Sequence, residues 1–112
     1  MTTPRLGFSF LYFAGRLGET HLRWFERLAF HGYAGAELPV VEATDVELKA
    51  MRRALAAQGL AATAVGFATA AANPLDADAA MRRAAVDHLA RLCEKAALLG
   101  AEVLAGPIHS AY

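Results

Sequence analysis

The 112-residue chain has a single cysteine, Cys93, and that scarcity removes several classes of protein at once. No intramolecular disulfide framework can form, and no thiolate cluster with metal-ligand spacing exists. The helical surroundings of Cys93 predict a buried, packed thiol in a reducing compartment. Charge of one sign is also lacking, because 11 basic and 11 acidic side chains cancel. That balance argues against nucleic acid or an acidic membrane recruited by bulk charge. No run approaches the roughly 20 apolar residues of a membrane span, and the first five residues do not read as a signal peptide. A cytoplasmic protein is the expectation. Phosphate-cradling glycine patterns are missing too. The first strand–helix turn offers only Ala14-Gly15-Arg16-Leu17-Gly18, short of the G-x-G-x-x-G of a dinucleotide site, and no P-loop follows elsewhere. Ser9 and Ser110 lack the flanking glycines of a nucleophile elbow.

What is present is apolar. Hydrophobic residues make up 56% of the chain and the mean hydropathy is +0.30. A parallel sheet buried on both faces reads this way. A glycine cadence supports it: His31-Gly32-Tyr33, Gln58-Gly59-Leu60 and Leu99-Gly100-Ala101 each join a helical pattern to an apolar run. Repeated helix–Gly–strand passages predict α/β architecture with parallel strands and helical crossovers. The strands are expected at residues 6–13, 34–41, 61–68 and 101–108. No linker divides the chain, so residues 1–112 form one domain. Strand four has no helix after it, and the chain reads as the front half of a larger α/β barrel.

Helix one is expected over residues 19–30, with Leu22, Phe25, Leu28 and Ala29 on one face and Trp24 flanking it. Helix two has the clearest start, a Thr44–Glu47 capping box, with Leu48, Met51 and Leu55 inward and Gly59 as its stop. Helix three is expected over residues 76–99, capped by Asp76 or Asp78, with Met81, Ala85, Leu89, Leu92, Ala96 and Leu99 in register. Arg52-Arg53 and Arg82-Arg83 read as solvated helix faces beside Glu47 and Asp87.

Candidate site residues sit near the strand ends. Glu37 lies inside an apolar run, close to the C-terminal end of strand two. A carboxylate there either lines a ligand cleft or takes a structural hydrogen bond, because burying it alone is too costly. His109, Ser110 and Tyr112 follow strand four, where polar and aromatic groups line clefts in parallel barrels. A lone histidine there is also compatible with a structural role. His21, His31 and His88 have no ligand partners in register and are expected to be inert. The alanine-rich loop at residues 69–73 suits a cleft rim or simple small-residue packing.

Taken together, Leu6-Gly7-Phe8, the stretch from Gly32 to Pro39 and the stretch from Leu99 to Pro107 resemble the ketose 3-epimerases. These form the tagatose/allulose 3-epimerase group of the xylose-isomerase-like sugar isomerase/epimerase superfamily. The Arg-Arg-Ala-Ala and Asp-His-Leu pattern after Asp78 is similar to that family's third helix. The resemblance implies a TIM (β/α)8 barrel of which this chain covers β1-α1-β2-α2-β3-α3-β4. It implies proton exchange on a ketose sugar through an enediolate, aided by a divalent metal such as manganese, cobalt or magnesium. The family's metal ligands and both catalytic glutamates come from strands five to eight, so no catalytic or metal residue falls in this chain. Ser9, Val65, Pro107 and Tyr112 fall where the family lines its sugar pocket, and Glu37 falls on a recurrent strand-two glutamate. With His109, these six are the expected substrate contacts.

Two classes of function follow. One is the N-terminal half of a metal-dependent ketose epimerase, inactive alone. The other is a non-catalytic half-barrel that binds or assembles with a partner; a lyase or endonuclease on the same barrel is a further alternative. In either case the inner face is expected to expose Phe, Leu and Val. Association is then expected, with a second copy or with the missing half.

Overall fold

The structure, a computed structural model, describes residues 3–111. Within them, strands β1 (Gly7–Ser9), β2 (Gly35–Pro39), β3 (Ala61–Val65) and β4 (Leu104–Ala105) form one sheet in the order β1-β2-β3-β4. Every pairing is parallel. The crossovers carry α1 (Glu19–Leu22), α2 (Trp24–Phe30), α3 (Asp45–Ala57) and α4 (Ala79–Leu99). The expected α/β topology is therefore present.

Side-chain alternation along the strands sorts the sheet into two faces. Ala36, Leu38 and Ala64 point toward the helices and are buried. There they meet Phe25, Leu48, Met51, Leu55, Leu92, Ala96 and Leu99 in one continuous core. Among the described residues no helix packs against the other face. The extents of 48 × 36 × 21 Å describe a slab, and the radius of gyration of 15.1 Å exceeds the ~13 Å of a closed domain this long. The sheet is open.

The helix boundaries follow from local chemistry. The Thr44 hydroxyl accepts from the Glu47 N–H at 3.2 Å, and the Glu47 carboxylate accepts from the Thr44 N–H at 2.9 Å. Two first-turn donors are thus satisfied by one sequence pair. Arg16 binds the same carboxylate at 2.8 Å; chiefly that bond, with the Thr44 amide, holds Glu47 below the usual glutamate range. At the other ends, Gly32, Gly59 and Gly100 all have positive φ, so the three glycines of the cadence do stop helices. Asp78 caps α4 by accepting from the Ala80 N–H. Residues 76–78 therefore precede the helix, which begins three residues later than expected.

Other expectations need correction. β1 ends at Ser9, because Phe10–Tyr12 coil into a 3-10 turn that buries Phe10 edge-on against Phe25 at 5.0 Å. Burial of an aromatic ring overrides strand propensity there. The first helix is interrupted at Arg23, which keeps near-helical angles. β4 is only two residues long, closed by the positive φ of Gly106 and by Pro107, which has no N–H to donate. Met81 is exposed, on the first turn of α4. Cys93 is exposed as well, one position off the stripe formed by Ala85, Leu92, Ala96 and Leu99. The register positions of the inner face carry one Val, the buried Val65, but no Phe or Leu. Large exposed apolar groups gather instead beside β1, at Leu6, Leu11, Tyr12, Phe13 and Trp24.

Candidate functional site

Strand register fixes three rows on the open face. Gly7, Gly35 and Ala61 form the lowest, Ser9, Glu37 and Thr63 the middle, and Pro39, Val65 and Ala105 the uppermost, at the C-terminal end. The lowest row is small by necessity at Gly35, where a Cβ would lie 2.7 Å from the Ala61 carbonyl oxygen. Above it opens a hollow of about 390 Å³ lined by Arg5, Ser9, Glu37 and Thr63 among others.

The Ser9 hydroxyl donates to Glu37 Oε1 at 2.7 Å. Glu37 thus takes a structural hydrogen bond and also faces the hollow, so the two readings of this carboxylate coexist. It lies mid-strand, two residues before β2 ends at Pro39, rather than at the mouth. Thr63 is its register partner on β3 and went unnoticed in the sequence. Two-residue alternation back from Val65 would have put it on the same face.

The remaining candidates lie higher. Val65 is buried at the end of β3. Pro107 follows β4, and its carbonyl accepts from the Ala68 N–H at 3.1 Å. His109 is exposed beyond it. Tyr112 lies outside the described residues. Ser9 and Glu37 are thus brought into contact, Val65 and Pro107 flank the strand ends above them, and His109 stands apart.

The loops at this end are stitched together. The Asn73 side-chain oxygen accepts from Leu75 N–H at 3.1 Å and from Ala111 N–H at 3.2 Å. One carboxamide thereby joins the loop after β3 to the segment after β4. Ala68 and Ala72 are buried within it, so the alanine-rich loop packs rather than floats. His88 has a structural role: its Nε2 lies 2.8 Å from the Phe67 carbonyl and ties α4 to the same loop. On the helix side, Lys95 Nζ donates to the Val41 carbonyl at 2.7 Å, and partial burial pulls its pKa down.

Among the described residues, no three of His, Cys, Asp or Glu converge as a metal-holding group. The residues present do not fit a divalent ion. No helix among them is long and apolar enough to cross a membrane.

No protein-family model matches the sequence, and no curated protein matches it. Solved structures do match. A D-psicose 3-epimerase crystallised in the presence of D-fructose aligns with TM-score 0.79 over 95% of this chain, at 23% identity. L-Ribulose 3-epimerase aligns with TM-score 0.80 over 98%, at 19% identity. A D-psicose 3-epimerase with D-tagatose from Clostridium cellulolyticum H10 aligns with TM-score 0.77 over 94%, at 18% identity. The chain spans 38%, 37% and 37% of those proteins' own lengths, little over a third. The fold of this chain is that of an open, four-stranded part of the TIM barrel on which ketose 3-epimerases are built.

Proposed function

We propose that this chain supplies the first strands of a sugar epimerase barrel, the N-terminal half of an enzyme that acts on a ketose. The observation carrying this reading is the alignment of nearly the whole chain with three different 3-epimerases. The small, polar inner face supports it, since a wall of Ser9, Glu37 and Thr63 offers hydroxyls and a carboxylate to a polyol. Ser9 and Glu37 would hold sugar hydroxyls, Val65 and Pro107 would shape the apolar side of the pocket, and His109 and Tyr112 remain the further proposed sugar contacts.

Exchange of a carbon-bound proton on both faces of a sugar needs two bases and a polarised carbonyl. The described residues gather neither paired bases nor a metal site, so that machinery belongs to other strands. The chain alone is then inactive. The unpaired Cys93 suits a cytoplasmic setting.

A chimaera tests this reading. The chain replaces the matching part of a D-psicose 3-epimerase, and the product is incubated with D-fructose, D-tagatose and D-allulose plus manganese or cobalt. Chromatography should show 3-epimerised product from the chimaera and none from the 112-residue chain. A folded, metal-loaded chimaera that turns over no ketose overturns the epimerase reading. It would favour the assembly-module alternative, which the open sheet and the apolar residues beside β1 also support.

A further inference from the structure

The ridge beside β1 is more specific than a generic apolar edge. Its floor is a hollow of about 220 Å³ lined by Phe8, Phe10, Phe13, Trp24, Leu28 and Tyr33, with Arg27 and His31 at its rim. A second hollow of about 450 Å³, lined by Thr20, Arg23, Trp24 and Arg27, adjoins it. The two share Trp24 and Arg27. No acidic residue lines either hollow.

Helical spacing explains the arrangement. Thr20, Arg23, Trp24, Arg27 and His31 recur at three- and four-residue intervals and so share one face of α1–α2. Trp24 is stacked on Phe13 at 5.8 Å, and the Arg27 guanidinium sits 5.1 Å from its ring centroid. Among the described residues neither Arg23 nor Arg27 forms an ion pair, whereas Arg16 and Arg91 both do. The result is a groove with an aromatic floor and a cationic bank, running along a strand that has no partner on its outer side among the described residues.

We propose that this groove seats an acidic amphipathic helix, carried by the polypeptide that completes the barrel. One large apolar side chain would enter the aromatic hollow while carboxylates lie over Arg23 and Arg27. In a closed β/α barrel the helices ring the strands, so the outer flank of β1 is a helix position. The proposal rests on reading the sheet as part of such a barrel. A second copy of this chain fits less well, because among the described residues no helix follows β4. Copies laid edge to edge would supply strands and leave the groove empty.

Trp24 is the only tryptophan, which makes the test direct. The full chain is titrated with a synthetic helical peptide of about 18 residues, long enough for five turns, bearing a Leu/Phe stripe flanked by glutamates. A control peptide carries lysine in place of each glutamate. The acidic peptide should shift Trp24 emission, with affinity falling as salt rises. Loss of two exposed ion pairs in R23Q/R27Q should weaken it by about five- to tenfold. If that variant fails to fold, the salt dependence and the lysine control still decide. Equal response to both peptides, no response, or a Trp24 shift driven by protein concentration alone overturns the proposal. No sugar enters the measurement. A silent chimaera with a responsive Trp24 overturns only the epimerase reading, and the reverse overturns only this one.

Discussion

The Ser9 hydroxyl lies 2.7 Å from the Glu37 carboxylate, joining β1 to β2 across the open face of the sheet. One bond both anchors the carboxylate and fixes which of its oxygens stays available. Ser9→Ala removes a half-buried bond to a charged group. It should cost about 1 kcal/mol in urea unfolding, against less than about 0.5 kcal/mol for Thr63→Ala, whose side chain has no bonding partner among the described residues. Equal effects would mean the Ser9 bond contributes nothing.

In the barrel chimaera, Glu37→Gln should lower kcat/KM by disturbing that positioned bond, whereas Tyr112→Ala should mainly change which ketose is preferred. An aromatic wall contributes shape and stacking rather than proton transfer. If both variants matched the parent on every ketose, neither residue would face the sugar.

Gly106 has φ of 128°, and a Cβ there would fall 1.9 Å from the Gly66 carbonyl oxygen. Gly106→Ala should therefore cost at least about 2 kcal/mol, combining backbone strain with collision. Gly15→Ala, with nothing within 4 Å of the new methyl, should stay within about 0.5 kcal/mol. Urea midpoints of the two variants test the contrast.

Glu47 supplies a pH dependence. Its folded pKa is depressed, first by Arg16 and then by the Thr44 amide. A depressed carboxylate contributes stability that is complete above its unfolded value, about 4.3, and lost as pH falls through the lower folded value. Glu47→Gln should therefore lower the thermal midpoint at neutral pH and converge with the parent in strong acid. Parallel curves at all pH values would refute the linkage.

The open edges at β1 and β4 should make the isolated chain associate at high concentration. Val103, about half exposed at the β4 edge (53%), is the position to test. Val103→Lys should reduce the light-scattering mass, as edge lysines do elsewhere. A concentration-independent monomer would contradict this.

Repeating local signals made most of the fold legible. Three glycines after three helical stripes carried the crossovers, and Thr44 with Glu47 announced α3 three residues apart. What escaped depended on distant partners. Phe10 leaves the strand because Phe25 offers it a buried edge, a contact no local pattern contains. Cys93 looked buried because its helix is amphipathic, yet one residue is a 100° turn, enough to move it from the core face to water. His88 looked unemployed because its acceptor, the Phe67 carbonyl, is a backbone atom that sequence does not advertise. Site positions on one strand were legible, but Thr63 required the β2–β3 register before it joined Glu37.

The sequential strand order has a further consequence, for synthesis. Each strand pairs with the one translated immediately before it, but only across a helical crossover, since register partners such as Gly7 and Gly35 or Ala64 and Leu104 lie far apart in sequence. Parallel pairing across such crossovers forms slowly, while chains fold from the N-terminus as they leave the ribosome. In the barrel proposed above, β2 and β3 would settle under α3 and α4 while the flank of β1 stayed exposed until the closing helix arrived. The groove beside Trp24 would then stay open longest, and a chaperone or a premature neighbour would find it first.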